Sequence, residues 1–337
     1  MAQHKITLLP GDGIGPEVTA AVVSIIECAS VDVEWEKYFV GAEALSRFGD
    51  PLPQEVLDSI LRNKVALKGP VMTPVGTGFS SINVRLRKAL DLYANLRPVK
   101  SMPNIRTRYE DIDLVVVREN TEDVYGQTGW VTGAGKDEVA EVPMRFTRPG
   151  IERIVRYAFE LARTRPNRHL TLVDKANAIP VQELWRRIFD EIGEDYREVT
   201  RDAKYVDAAC MWLVLKPEQF DTIVTTNLFG DILTDHGAAI CGGLGVAASG
   251  NIHPGQVSMF EPVHGSAPKY AGKGVASPIG SIGAVALMLE YLGQSDASRA
   301  IEDAVRGGLQ SGRIKGVEAG SQKTEEVANI VAMAVAG

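Results

Sequence analysis

Apolar and polar positions along this chain switch repeatedly between a two-residue and a helical period. Ile6-Thr-Leu-Leu9 is the short apolar run of a buried strand, Pro10-Gly-Asp-Gly-Ile-Gly-Pro16 makes a sharp turn, and residues 17–29 follow at helical spacing. Residues 31–38 alternate as a strand, 54–63 are helical and 64–67 form another strand. In residues 81–95, Ile82, Leu86, Ala89, Leu90 and Tyr93 predict a helix ending near Leu96-Arg-Pro98. Residues 112–117 read as a buried strand that delivers Arg118 and Glu119 to its C-terminal end, where polar groups are commonly available to ligands.

The periodicity breaks over residues 126–150, rich in glycine and charge, with a short strand at 139–142; this reads as an excursion, either an arm for subunit contact or a mobile loop. Helical spacing resumes at 151–163, a strand at 169–173 presents Asp174 and Lys175, and further helices fall at 181–192 and 206–214. The β-branched run 222–226 leads into Asn227, residues 231–241 read as a helix, and Gly242-Gly-Leu-Gly245 permits a turn or close packing. Late helices at 281–292, 300–309 and 325–334 close the chain. Alternation of this kind predicts an α/β sheet with helices on its faces.

At 337 residues the chain can hold two compact domains, and 45% hydrophobic content fits a globular protein. A net charge of −7 gives no general attraction to nucleic acid or anionic membrane, so a site for an acid must concentrate positive charge locally. Cys28, Cys210 and Cys241 lie far apart, which indicates neither a zinc knuckle nor a disulfide scaffold. Met1-Ala-Gln-His-Lys5 does not resemble a signal peptide and no apolar run reaches membrane-spanning length, so a cytoplasmic protein is expected.

Asp231 and Asp235 are four residues apart, so a helix sets both carboxylates on one face. A divalent cation would turn that repulsion into attraction, with oxygen-only ligands favouring Mg²⁺ or Mn²⁺ and Asp207 as a third ligand; solvated surface acids are the plainer alternative. Arg87, Arg97 and Arg118 are candidate carboxylate clamps, with Ser81 and Asn83 for a further polar arm, against the alternative of ordinary surface ion pairs. Tyr125 and Lys175 form a candidate proton-transfer pair, though either could be structural. In Glu261-Pro-Val-His-Gly-Ser-Ala-Pro-Lys-Tyr270, a loop could receive an adenine against His264 while Lys269 and Tyr270 meet a phosphate. The Pro10 to Pro16 turn carries Pro16 where a dinucleotide fingerprint needs its last glycine, so a standard Rossmann fold is not expected.

Six landmarks spread across the chain resemble the isocitrate and isopropylmalate dehydrogenases, the metal-dependent β-decarboxylating dehydrogenases. They are Leu9-Pro-Gly-Asp-Gly-Ile-Gly-Pro-Glu17, Leu92-Tyr-Ala-Asn-Leu-Arg-Pro98, Val117-Arg-Glu-Asn-Thr-Glu-Asp-Val-Tyr125, Asp174-Lys-Ala-Asn177, Thr226-Asn-Leu-Phe-Gly-Asp-Ile-Leu-Thr-Asp235 and Glu261-Pro-Val-His-Gly-Ser-Ala-Pro268. The resemblance implies a two-domain α/β fold: residues 1–98 and 253–337 as a nucleotide-binding domain, and 99–252 as a smaller domain with a dimerisation clasp near 126–150. It implies a homodimer in which Lys175 and Asp207 are supplied by one subunit to Asp231 and Asp235 of the other.

By the same resemblance, Arg87, Arg97 and Arg118 grip the malate-type carboxylates, Tyr125 and Lys175 transfer protons, and Asp207, Asp231 and Asp235 hold the metal. The implied reaction is hydride loss from C2 of a small anionic 2-hydroxy acid to NAD(P), then release of CO₂ and protonation at C3. Ser80-Ser-Ile-Asn-Val-Arg-Leu-Arg87 resembles the isocitrate pattern, whereas Val173-Asp-Lys-Ala-Asn177 and Val181-Gln-Glu-Leu-Trp-Arg186 resemble the isopropylmalate branch. Isocitrate is the favoured substrate; homoisocitrate, 3-isopropylmalate, tartrate and a phosphono analogue are the others. Glu261, His264, Gly265, Ser266, Ala267, Lys269, Tyr270 and Ser277 are the implied cofactor residues. Lys269-Tyr270 resembles the NADP-dependent pattern more than the NAD pattern, and Ser277 stands where the family commonly has asparagine. A noncatalytic regulatory or scaffold subunit is the competing class.

Overall fold

The computed structural model describes residues 3–72, 81–125 and 127–337; Met1, Ala2, Ser80 and Gly126, named above, lie outside them. In chain order come β1 (His4–Leu9), α1 (Gly15–Cys28), β2 (Val33–Lys37), α2 (Ala42–Phe48), α3 (Gln54–Asn63), β3 (Val65–Lys68), α4 (Ile82–Ala89) and β4 (Ala94–Lys100). Then follow β5 (Asp113–Glu119), β6 (Trp130–Thr132), β7 (Val139–Glu141), α5 (Arg148–Thr164), β8 (His169–Asp174), α6 (Glu183–Gly193), β9 (Thr200–Tyr205), α7 (Val206–Leu215), β10 (Thr222–Thr225) and α8 (Asn227–Ile240). The chain closes with β11 (Ala248–Ile252), β12 (Ser258–Pro262), α9 (Ile279–Tyr291), α10 (Ser295–Gln310) and α11 (Thr324–Val335). This is a mixed α/β architecture.

Two compact units result: Met1–Leu92, Arg97–Ile112 and Ala238–Gly337 form the first, Tyr93–Leu96 and Asp113–Gly237 the second. Tyr93–Leu96, expected in the nucleotide-binding domain, fall in the second unit, and residues 99–112 and 238–252, expected in the middle domain, fall in the first. The cause is local pairing: the Asn104 side chain donates to the carbonyls of Leu309 and Gln310 at 2.8 and 3.0 Å, and β11 runs antiparallel to β12.

In the first unit the strand order includes β2-β1-β3-β12-β11, parallel except for the β11 and β12 pair. Alternation along each strand feeds two cores, as a period of two requires. Ile6, Leu8, Val65, Leu67 and Phe260 face one cluster with residues of α1, α9, α10 and α11; Leu9, Ala66 and Met259 face another with residues of α3 and α4. In the second unit β5-β10-β8-β9 are all parallel. There α5 starts where Thr147 Oγ1 accepts from the Gly150 amide, and it buries Ile151, Ile154, Val155, Ala158, Phe159 and Ala162. Phe159 stacks on Phe189 and Tyr196 with centroids 5.3 and 4.9 Å apart.

Two expectations are corrected and a third is filled in. The helix over 81–95 stops at Ala89, because Asp91 takes a left-handed φ of 46° and the chain turns into β4; its apolar stripe served two elements. The helix expected from 231 begins at Asn227, with only Thr226 between it and β10. Within 126–150, β6 and β7 form an antiparallel ribbon in the register Trp130 to Glu141, with every residue of both strands exposed.

Candidate functional site

In the second unit, parallel strands bring chemistry to one sheet edge. Thr225 at the end of β10 is in register with Arg118 on β5 and with Val173 on β8, so Arg118, Asp174 and the start of α8 share the carboxyl end of the sheet. Asp123, fully buried at a φ of +76°, caps α8: its Oδ2 accepts from the Leu228 amide at 2.9 Å. Buried Arg118 donates from Nε and Nη2 to Asn227 Oδ1 at 3.1 and 2.7 Å, and from Nη1 to Asp231. The Tyr125 hydroxyl donates to the other Asp231 oxygen at 2.7 Å, and its ring lies 5.3 Å from the Arg118 guanidinium carbon. Arg118, Tyr125 and half-buried Asp231 thus meet at one point.

A second pairing joins Lys175 and Asp207. Lys175 follows β8 directly, its amide tied to Gln182 Oε1 at 2.6 Å, and its Nζ donates to Asp207 Oδ1 at 2.6 Å. That hydrogen bond holds the exposed Asp207 carboxyl below the usual range. Asp235 is exposed one turn beyond Asp231. Among the described residues no three His, Cys, Asp or Glu side chains form a group that could hold a metal, so Asp207 is not brought to Asp231 and Asp235 within this chain. Their donors are carboxylate oxygens only, the set that suits a hard divalent cation.

The first unit carries the other candidates. Arg87 and Arg97 are buried, and Arg87 Nη2 lies 3.8 Å from Glu261 Oε1. Glu261 also meets Lys68 Nζ at 2.5 Å and accepts from Asn251 Nδ2 at 2.8 Å. Burial pushes the Glu261 carboxyl up, but Lys68 and Arg87 outweigh it and hold it at about 2. Sequence reasoning missed Lys68 and Asn251. The available signal was a lysine closing the apolar run Val65-Ala-Leu-Lys68, since a lysine buried with its strand needs a partner.

The loop after β12 is held against the Pro10 to Pro16 turn. The Ile14 amide donates to Ser266 O at 2.9 Å, and a Cβ on Gly13, at a φ of +63°, would lie 2.0 Å from that oxygen. Asp12, another residue the sequence did not single out, accepts from the Ala42 and Met72 amides at 2.9 and 2.7 Å. In the loop, Gly265 is exposed, Ala267 is left-handed at φ 39°, and Lys269 Nζ sits 4.6 Å from the Tyr270 ring centroid. His264 Nε2 is buried without a hydrogen-bond partner, and burial pushes its pKa down. Ser277 Oγ approaches the Ile279 amide at 3.5 Å at the start of α9. Ser81 is the N-cap residue of α4, and Asn83 Oδ1 is buried with no hydrogen-bond partner among the described residues. None of the described helices is long and apolar enough to cross a membrane.

Residues 5–331 match the family described as isocitrate/isopropylmalate dehydrogenase. The chain is 42% identical to a 3-isopropylmalate dehydrogenase of Thermobifida fusca over 98% of each chain. It is 41% identical to an NADP isocitrate dehydrogenase of Thermus thermophilus, over 97% of this chain and 67% of that enzyme. The crystal structure of isocitrate dehydrogenase from Methylococcus capsulatus superposes with a TM-score of 0.93 at 44% identity, covering 99% of this chain and all of that one.

Proposed function

Because this chain belongs to the isocitrate/isopropylmalate dehydrogenase family and is an oxidatively decarboxylating dehydrogenase of that type, we propose that isocitrate is its substrate and NADP its preferred cofactor. The observation that carries the substrate reading is Asn83. On this half-buried residue the amide oxygen Oδ1 is buried with no partner among the described residues, two positions after the N-cap Ser81. An isopropyl group packed there would leave that amide unanswered, whereas a carboxylate arm can hydrogen-bond to an amide turned to present its nitrogen. 3-Isopropylmalate is the second reading, favoured by the Thermobifida fusca relative and by Val173-Asp-Lys-Ala-Asn177.

In this reading Arg87, Arg97 and Arg118 grip the malate carboxylates, and Lys175, supplied with Asp207 by a second copy of the chain, takes the C2 hydroxyl proton as hydride leaves C2 for the nicotinamide. The β-carboxylate then leaves as CO₂, its bonding electrons remain on the substrate, and the Tyr125 hydroxyl returns a proton to C3. Asp231 and Asp235, with Asp207 from a second copy, would hold Mg²⁺ or Mn²⁺. When bound, that ion supplies positive charge where negative charge develops on the substrate oxygens. The 261–270 loop receives the adenosine end, where His264 presents an orphan nitrogen and Lys269, stacked on Tyr270, offers positive charge to a 2′-phosphate.

The deciding experiment measures metal-dependent reduction of NAD⁺ and NADP⁺, with CO₂ detection, across isocitrate, homoisocitrate, 3-isopropylmalate, tartrate and a phosphono analogue. Isocitrate with NADP⁺ should give the highest kcat/KM. Asn83→Leu should shift the ratio toward 3-isopropylmalate by roughly tenfold or more. A wild-type preference for 3-isopropylmalate overturns the substrate assignment, and lack of turnover with every acid would favour a noncatalytic subunit.

A further inference from the structure

The side edge of the Arg118 guanidinium, made by Nε and Nη2, is taken by a single acceptor, Asn227 Oδ1, at 3.1 and 2.7 Å. Asn227 is held in turn. It is buried, it opens α8 with only Thr226 between it and β10, and its Nδ2 donates to the Glu122 carbonyl at 3.2 Å. Gly230, three residues on, faces the stem of the same arginine: a Cβ there would lie 2.4 Å from Arg118 Cγ, 2.6 Å from its Cβ and 2.9 Å from its Cδ. The helical backbone of α8 asks for no glycine at this point, so the constraint comes from the arginine stem.

We propose that Asn227 and Gly230 are the positioning residues of Arg118: Gly230 admits the stem, and Asn227 holds the side edge, fixing the plane of a guanidinium whose Nη1 donates to Asp231 and whose remaining Nη protons serve a substrate carboxylate. The inference rests on the reading of Arg118 as a substrate clamp. The guanidinium is a rigid plane, so holding one edge aims its other donors. The neutrality of the amide is part of the device. Arg118 already donates to Asp231, and a second carboxylate at position 227 would keep both side-edge hydrogen bonds but leave the cluster negative, opposing an incoming anion.

The test compares Arg118→Ala, Asn227→Ala, Asn227→Asp and Gly230→Ala. It uses KM and kcat for isocitrate, or for 3-isopropylmalate if the panel favours it, with KM for the nicotinamide cofactor and thermal unfolding measured alongside. Asn227→Ala and Gly230→Ala should each raise the KM for the acid roughly tenfold, while the cofactor KM stays within about twofold. Asn227→Asp should raise the acid KM more than Asn227→Ala; because it also loses the Nδ2 donation to the Glu122 carbonyl, thermal unfolding is read beside it, and a purely structural asparagine predicts KM changes that follow the loss of stability rather than the added charge. If Arg118→Ala leaves the acid KM unchanged, the clamp reading fails. If Arg118→Ala raises it but Asn227→Ala and Gly230→Ala do not, the positioning inference is overturned. Gly230→Ala removes no hydrogen bond and carries the test should Asn227→Ala not fold.

Discussion

Among single residues, Lys68 and Glu261 face the largest penalty for being where they are. Each is almost fully buried, and their ion pair, the Lys68 donation to the Gly69 carbonyl at 3.0 Å, the Asn251 amide and nearby Arg87 make the charged forms tolerable. Lys68→Met should therefore destabilise the protein by about 3–5 kcal/mol, because it strands a buried carboxylate rather than removing a surface contact. Denaturant titration checks this; a loss within the range of a surface pair would contradict it. The pH dependence follows from the direction of the shift. Glu261 is held at about 2 against an ordinary value of 4.5, so its contribution is complete above the unfolded value and disappears as pH falls from about 4.5 toward 2. Glu261→Gln should remove that part of the acid-unfolding slope. The motif residue Glu261 was legible in the sequence, but its partners were not, because Lys68 and Asn251 reach it through strand pairing rather than through chain proximity.

Elements decide how accurately the candidate groups are aimed. Helix α8 carries Asn227, Gly230, Asp231 and Asp235, and its first turn depends on Asp123, a carboxylate more than a hundred residues earlier that accepts from the Leu228 amide. Asp123→Ala should cost about 1–2 kcal/mol as a lost cap and lower kcat/KM by loosening the helix that carries Asp231. Hydrogen exchange at the Leu228 amide reports the first effect directly, and unchanged protection there would remove the cap from the account. The strong helices α1, α3, α5, α10 and α11 were evident from spacing, since each buries a single apolar stripe. The segment at 81–95 misled for a physical reason: Leu90 and Leu92 feed the same core cluster as Ile82 and Leu86, yet the left-handed Asp91 ends the helix between them.

On the scale of the whole molecule, a single chain leaves apolar surface that argues for a second copy. Helix α7 is apolar nearly all round but buries only Ala209 and Leu213, with Met211 and Leu215 about half exposed, and Ile232 on α8 and Val131 on the ribbon are exposed as well. A homodimer should appear in sedimentation or light scattering, and Ile232→Glu should shift it toward monomer with a parallel loss of turnover. A monomeric wild-type protein with full activity would refute the shared-site proposal. What the sequence determined alone was the α/β alternation, the family and the identity of most candidate groups, because periodicity and short motifs are written in local order. Only the tertiary structure decided that Arg118 meets Asp231 and Tyr125, that Lys175 meets Asp207 and that Lys68 neutralises Glu261. Those partners come together through parallel strand register and helix entry, and neither is specified by the spacing of residues along the chain.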